Sequence, residues 1–186
     1  MNILSPFYEL IFNSFFVKHF RACSLYSSSI IHHYLFMRVV IQRVCEASVT
    51  IQGVVKSQIT EGVLILVGVE EFDTADDINW LAAKIVNLRI FGDDAGLMNR
   101  SVVDVGGSML VVSQFTLHAS TKKGNRPSFL RAAKSDFAVP MYEYFVETLK
   151  KMSDLTVVTG EFGADMKVAL LNDGPVTIII DSKNRE

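Results

Sequence analysis

Two short segments carry the groups most able to do chemistry. They are Ser113-Gln114-Phe115-Thr116-Leu117 and, about sixty residues on, Asn172-Asp173-Gly174-Pro175-Val176-Thr177. Each follows an apolar, β-rich run, Met109–Val112 in the first case and Val168–Leu171 in the second. A strand end holds a reactive group more rigidly than a loop does. The first segment supplies hydroxyl and amide groups, and the second supplies a Gly-Pro turn. Neither contains an acid–base pair. Ser113 and His118 are an odd number of residues apart, so on a continuing strand they point to opposite faces. Thr116 and His118 could share a face. That pair still lacks a carboxylate to orient the imidazole, and a neutral threonine is a poor nucleophile without activation. His118 is therefore read as an ordinary loop residue.

Metal and nucleotide chemistry find less support. His32-His33 and His19 lie far from either segment, and neither His-Glu-x-x-His nor Cys-x-x-Cys spacing occurs. No metal site and no cofactor are expected. Gly106-Gly107 precedes a strand, so it is not a strand-to-helix phosphate loop. What remains is a site of backbone donors and acceptors.

These segments, taken together, resemble the D-aminoacyl-tRNA deacylase family, also called D-tyrosyl-tRNA deacylases. Met37–Val44, Ala47-Ser48-Val49-Thr50, Gly106-Gly107-Ser108, Arg126-Pro127-Ser128-Phe129 and Tyr142–Val146 follow that family's order. The resemblance spans Met37 to Glu186. It implies hydrolysis of the ester joining a D-amino acid to the 3′-terminal ribose of tRNA. It also implies a homodimer with the active site at the subunit interface, and the aminoacyl-tRNA 3′ end as partner.

Residue by residue, the resemblance places catalysis on Ser113, Gln114, Phe115 and Thr116. Backbone N–H groups there would stabilise the oxyanion, and the ribose 2′-hydroxyl would assist the attack. Thr116 is expected to position the substrate rather than to attack it. Gly174 and Pro175 would form a cis peptide reaching into the partner's site. Its carbonyl oxygens would bind the amino group and exclude an L side chain; glycine, with none, is then a further candidate substrate. Arg43 resembles the arginine that holds this motif from beneath, with a surface salt bridge as the alternative. Phe162 and Met166 resemble the pocket for the terminal adenine; core packing is the alternative. Two rivals stand beside this reading: a non-catalytic RNA-end-binding module, and a small-molecule esterase using Thr or Ser.

Elements to position these groups are legible. Arg38–Val44, Ala47–Ile51 and Val54–Ile59 read as strands, with a turn at Gln52-Gly53. Val63–Val69 is nearly continuous apolar, as in a strand buried on both faces. One helix should start with Asp73 or Thr74 as N-cap and bury Ile78, Leu81, Ala82, Ile85 and Leu88. A second should span about Asp136 to Met152, with Phe137, Met141, Tyr144, Phe145 and Thr148 on one face. Pro140 is tolerable only near its first turn. Strands near Thr156–Thr159, Lys167–Leu171 and Val176–Asp181 follow. The expected class is α+β: a mostly antiparallel, barrel-like sheet with two main packed helices.

Composition bounds the rest. The 186 residues suffice for one domain with a real core, and 49% are hydrophobic. Net charge is −2, so only a local patch could meet RNA. Lys122, Lys123, Arg126 and Arg131 supply one, or else an ordinary solvated loop. Two cysteines, Cys23 and Cys45, suit a reduced, cytoplasmic setting. No apolar run reaches membrane-spanning length, so no membrane span is expected. Residues 1–36 form an aromatic-rich leader with Glu9 as its only acid. Lys18 and Arg21 follow the apolar part, the wrong order for a signal peptide. Phe12, Phe15, Phe16 and Phe20 share one helical face. The leader is read as upstream sequence or an interfacial helix, apart from the domain at 37–186.

Overall fold

The computed structural model describes residues 36–185. The readings of the leader and its helical face lie outside the described residues. The strands are β1 (Arg38–Ile51), β2 (Val54–Ile59), β3 (Gly62–Gly68), β4 (Phe91–Gly92), β5 (Met98–Arg100), β6 (Ser108–Ser113), β7 (Val157–Thr159) and β8 (Met166–Asp181). Helix α1 is Ala75–Asn87, and α2 is Ser135–Ser153. The main sheet runs β2-β1-β3-β6-β7, with β8 also on β1; β4 and β5 form a separate pair.

β1 organises the sheet. Along one edge it pairs with β8 over almost its whole length, and along the other with β3 and then β2. The sheet curls until Ser57 of β2 donates its hydroxyl to the Thr159 carbonyl of β7 at 2.8 Å, which nearly closes a barrel. The expectation of a mostly antiparallel sheet is corrected: β3–β6 and β6–β7 are parallel pairs, and the sheet is mixed. The reason is connectivity. α1 lies between β3 and β6, and α2 between β6 and β7, so each pair is joined by a helical crossover.

Alternation along β3 and β6 builds two cores. Val63, Ile65, Val67, Met109 and Val111 face the helices. Leu64, Leu110 and Val112 face the barrel interior with Val44, Val49 and Ile59. Both faces are dry, which explains the continuous apolar runs.

The α1 cap is as expected: Thr74 accepts from the Asp77 N–H while Asp77 accepts from that of Thr74, a capping box. On α2, Met141, Phe145 and Thr148 are buried as expected, and Tyr144 is instead exposed. The buried apolar stripe is Ala138, Met141, Tyr142, Phe145, Val146 and Leu149. Their spacing is the true 3.6-residue stripe. Pro140 lies in the second turn, where it leaves the Asp136 carbonyl without its usual donor.

Asp73 precedes the α1 cap. Its carboxylate accepts from the Glu70 N–H at 2.7 Å, with Lys183 Nζ 3.5 Å away. Burial, outweighing these partners, lifts its pKa from 3.8 to about 6. The folded value exceeds the unfolded one, so protonation favours the folded state. That contribution is complete below about pH 4 and is lost as pH rises through 6. Asp73→Asn keeps the acceptor and should remove this slope. Urea unfolding between pH 4 and 7 is expected to show no more than about 3 kcal/mol of difference in pH dependence from the parent. Equal slopes in both proteins would refute the assignment.

Candidate functional site

β6 delivers the first motif. After Ser113 the chain leaves the strand, and Phe115–His118 form a 3-10 turn. The Gln114 N–H donates to the Val67 carbonyl at 2.8 Å, which pins the turn to the end of β3. That donor is therefore spent. Phe115 and Thr116 open the turn, where N–H groups have no intrahelical acceptor. Of the three backbone donors anticipated, these two remain the candidates. The Gln114 side-chain amide donates to Thr116 Oγ1. Phe115 is exposed and meets Phe129 edge-to-face, with centroids 5.1 Å apart.

A cavity of about 300 Å³ opens beside this turn. Ser113, Gln114 and Phe115 line one side, and Phe162 and Met166 the other. Phe162 also packs edge-to-face on Tyr142 at 5.8 Å. The Met166 sulfur accepts from the Glu161 N–H at 3.4 Å. A Cβ at Gly160 would stand 2.4 Å from that sulfur, so the glycine makes room for it. These side chains rest on the cores and present a surface to the cavity.

Tyr142 was missed as a lining residue. Its hydroxyl donates to the Val111 carbonyl at 2.9 Å, and burial lifts its pKa far above the ordinary value. It is a fixed neutral donor rather than an acid. The corrected α2 stripe was the signal that could have found it.

The second motif is an interruption of β8. Pairing runs Gln42 to Thr177 and then Val44 to Asn172, so Asp173–Val176 stand opposite the single residue Arg43. The Gly174–Pro175 bond is cis, as expected. Asn172 holds both ends of the bulge: its Oδ1 accepts from the Val176 N–H, and its Nδ2 donates to Thr177 Oγ1, each at 3.2 Å. Arg43 lies beneath. Its guanidinium donates to the Ile90 carbonyl. Its Nε is 2.9 Å from Asp173 Oδ2, as an ion-pair contact rather than an in-line hydrogen bond.

Arg43, Gly174 and Pro175 line a separate, open cavity of about 740 Å³. The two motifs are therefore not brought together within one chain. Thr116 sits exposed next to Gln114. The basic cluster is also divided. Lys122, Lys123 and Arg126 are exposed, but Arg131 turns inward, with Nη2 2.8 Å from Glu70 Oε1. His118 corrects another expectation: its side chain is fully buried, because the 3-10 turn folds it back against β3.

The family model described as D-Tyr-tRNA(Tyr) deacylase matches residues 40–181. The chain belongs to this family. This deacylase is 64% identical over 150 residues to the D-aminoacyl-tRNA deacylase of Phocaeicola vulgatus, covering 81% of this chain and all of the relative. Among solved structures it resembles the c-Myc DNA Unwinding Element Binding Protein, with TM-score 0.73 and 41% identity over 77% of this chain and 97% of that one. A probable eukaryotic D-amino acid tRNA deacylase shares the fold, with TM-score 0.68 and 17% identity over 78% of this chain and 99% of that one. Deacylases of this family are hydrolases, and so is this enzyme. No helix among the described residues is long and apolar enough to cross a membrane.

Proposed function

We propose that the chain hydrolyses the ester between a D-amino acid and the 3′-terminal ribose of tRNA, acting in the cytoplasm as a homodimer. The observation that carries this is the pairing of two features in one family member. One is a strand-end turn with two open backbone donors beside a cavity. The other is a rigid Gly-Pro bulge that lines a different cavity.

Water attacks the carbonyl carbon, and the developing oxyanion accepts from the Phe115 and Thr116 N–H groups. One such donor is worth about 3 kcal/mol. The ester C–O bond then breaks and the ribose 3′-oxygen leaves with a proton. The neighbouring 2′-hydroxyl assists, so no side-chain base is required. Ser113 and Gln114 shape the turn, and Thr116 positions the substrate. Phe162 and Met166 receive the terminal adenine, since an unpaired base stacks well on an aromatic face.

Gly174 and Pro175 of the partner subunit complete the site. Their carbonyl oxygens hold the amino group and leave no room for an L side chain. The separation of the two motifs in one chain supports a site shared between two. Arg43 supports the bulge through Asp173. Lys122, Lys123 and Arg126 supply the few phosphate contacts that an RNA end needs.

Matched D- and L-aminoacyl-tRNA, with glycyl-tRNA as a third arm, test this reading. The D ester is expected to be cleaved and the L ester spared, with glycine cleaved because nothing excludes it. Equal turnover of D and L would reduce the protein to a generic esterase. No turnover of either would favour a binding module.

A further inference from the structure

Behind the Gln114–Thr116 turn lies a buried charged cluster that the proposed chemistry does not use. Gly68 ends β3, and a Cβ there would lie 2.7 Å from His118 Nε2 and 3.1 Å from the Gln114 carbonyl oxygen. The imidazole thus occupies the place of the absent side chain. Its Nδ1 is 3.0 Å from Glu70 Oε1, and both side chains are fully buried. The same oxygen is 2.8 Å from Arg131 Nη2. The Arg131 contact is an ion pair; the His118 contact is a close approach of a ring nitrogen to a carboxyl oxygen, outside hydrogen-bond alignment.

Glu70 is itself well anchored. It bridges to Ala132, and its N–H donates to Asp73. Arg38, whose guanidinium grips Asp181, donates to the Leu117 carbonyl at 3.3 Å. The far end of the turn is therefore tied down as well.

Stability does not account for such a residue. A fully buried carboxylate forfeits its hydration, and replacing buried ion pairs by apolar side chains is often neutral or stabilising. Geometry offers the better account. Burial lowers the His118 pKa, which favours the neutral imidazole. Burial raises the Glu70 carboxyl, and Arg131 opposes that rise. One carboxylate oxygen then fixes a ring on the catalytic turn and a guanidinium on the basic loop.

We infer that Glu70 is a positioning residue for the deacylation, holding the Gln114–Thr116 turn through His118 and locking that turn to the 121–131 loop through Arg131. This rests on the assignment of Ser113–Thr116 as the site. The two donors at the start of the turn work only if they point at the place where the oxyanion forms. A displacement near 1 Å in such a position costs on the order of a hundredfold in rate.

Glu70→Gln keeps the size and removes the charge. With enzyme in excess over a D-aminoacyl-tRNA, its maximal single-turnover rate, normalised to the folded fraction, is expected to fall roughly a hundredfold. The enzyme concentration for half-maximal rate should change far less than the rate does, because the carboxylate touches no substrate and the loop keeps Lys122, Lys123 and Arg126. His118→Gln should act alike, and the double variant should be no slower than the slower single one, since both act through one contact. A folded Glu70→Gln at the parental rate, or losses that multiply in the double variant, would overturn the inference. If Glu70→Gln does not fold, Arg131→Gln at the half-exposed end of the cluster decides: a slowed maximal rate supports the role, and an unchanged one overturns it. Thr116→Pro separates the underlying site assignment, because it deletes both a backbone donor at the start of the turn and the hydroxyl proposed to position the substrate. A fast Thr116→Pro removes the site and the positioning role together. A slow Thr116→Pro beside a fast Glu70→Gln removes the positioning role alone.

Discussion

Gly174→Ala is expected to lower the hydrolysis of D-aminoacyl-tRNA by about two orders of magnitude or more while the protein stays folded. Gly174 has φ +113°, a conformation that L side chains rarely adopt. A Cβ there would stand 2.8 Å from Arg43 Nη2 and 2.9 Å from Val176 Cγ2. The methyl group therefore pushes on the side chain that supports the bulge and on the residue that closes it. Holding a non-glycine residue in such a conformation costs about 1–3 kcal/mol. Gly174 and Pro175 are exposed and belong to neither core, and only Val176 of the bulge packs against one, so the fold should survive that cost. The function should not, because the carbonyls of Gly174 and Pro175 are proposed to read the Cα substituents directly. Steady-state kinetics on the D ester, with thermal unfolding measured in parallel, check both halves. Activity within about threefold of the parent would detach the bulge from chiral selection.

Thr116→Ala separates two mechanisms by magnitude. If Thr116 positions the substrate, the loss should be roughly ten- to a hundredfold, with clear residual activity. If it is the nucleophile, the loss should approach the ~10⁶ seen when a hydrolase loses its attacking group. The structure favours the first outcome. Oγ1 already accepts from the Gln114 amide. The one imidazole nearby, His118, faces Glu70 on the buried side. Among the described residues, no base is thus placed to take a proton from the hydroxyl. Rapid quenching during turnover should trap no acyl-enzyme. A stable ester on Thr116 would establish covalent catalysis instead.

Much of the scaffold was legible because local rules and burial agree. The Gln52-Gly53 turn, the Thr74 cap and the doubly buried β3 follow from side-chain types and period alone. Parallel pairing was not, because it depends on which strands meet after a crossover, and strand composition is the same either way. The strand–helix–strand order did contain that signal. On α2 the exception was Tyr144, because Tyr144 and Tyr142 are alike in type; only packing against Val111 and Phe162 chooses between them. His118 misled for a different reason. A histidine after a strand reads as solvated unless a glycine elsewhere makes room, and Gly68 is fifty residues away. The two motifs were visible as segments, yet their assignment to separate cavities required the register of β8 on β1.

That register also constrains how the protein is made. Arg38 and Asp181 are 143 residues apart and face each other in the first and last strands of the described fold. Closing so long a loop is entropically costly and is among the slower steps of folding. On the ribosome, β8 is the last of these strands to emerge, so β1 waits with one edge unpaired until it does. The Gly174–Pro175 bulge takes shape only when that final strand docks. A truncated or stalled chain therefore carries the turn proposed to be catalytic without the element proposed to give it chirality.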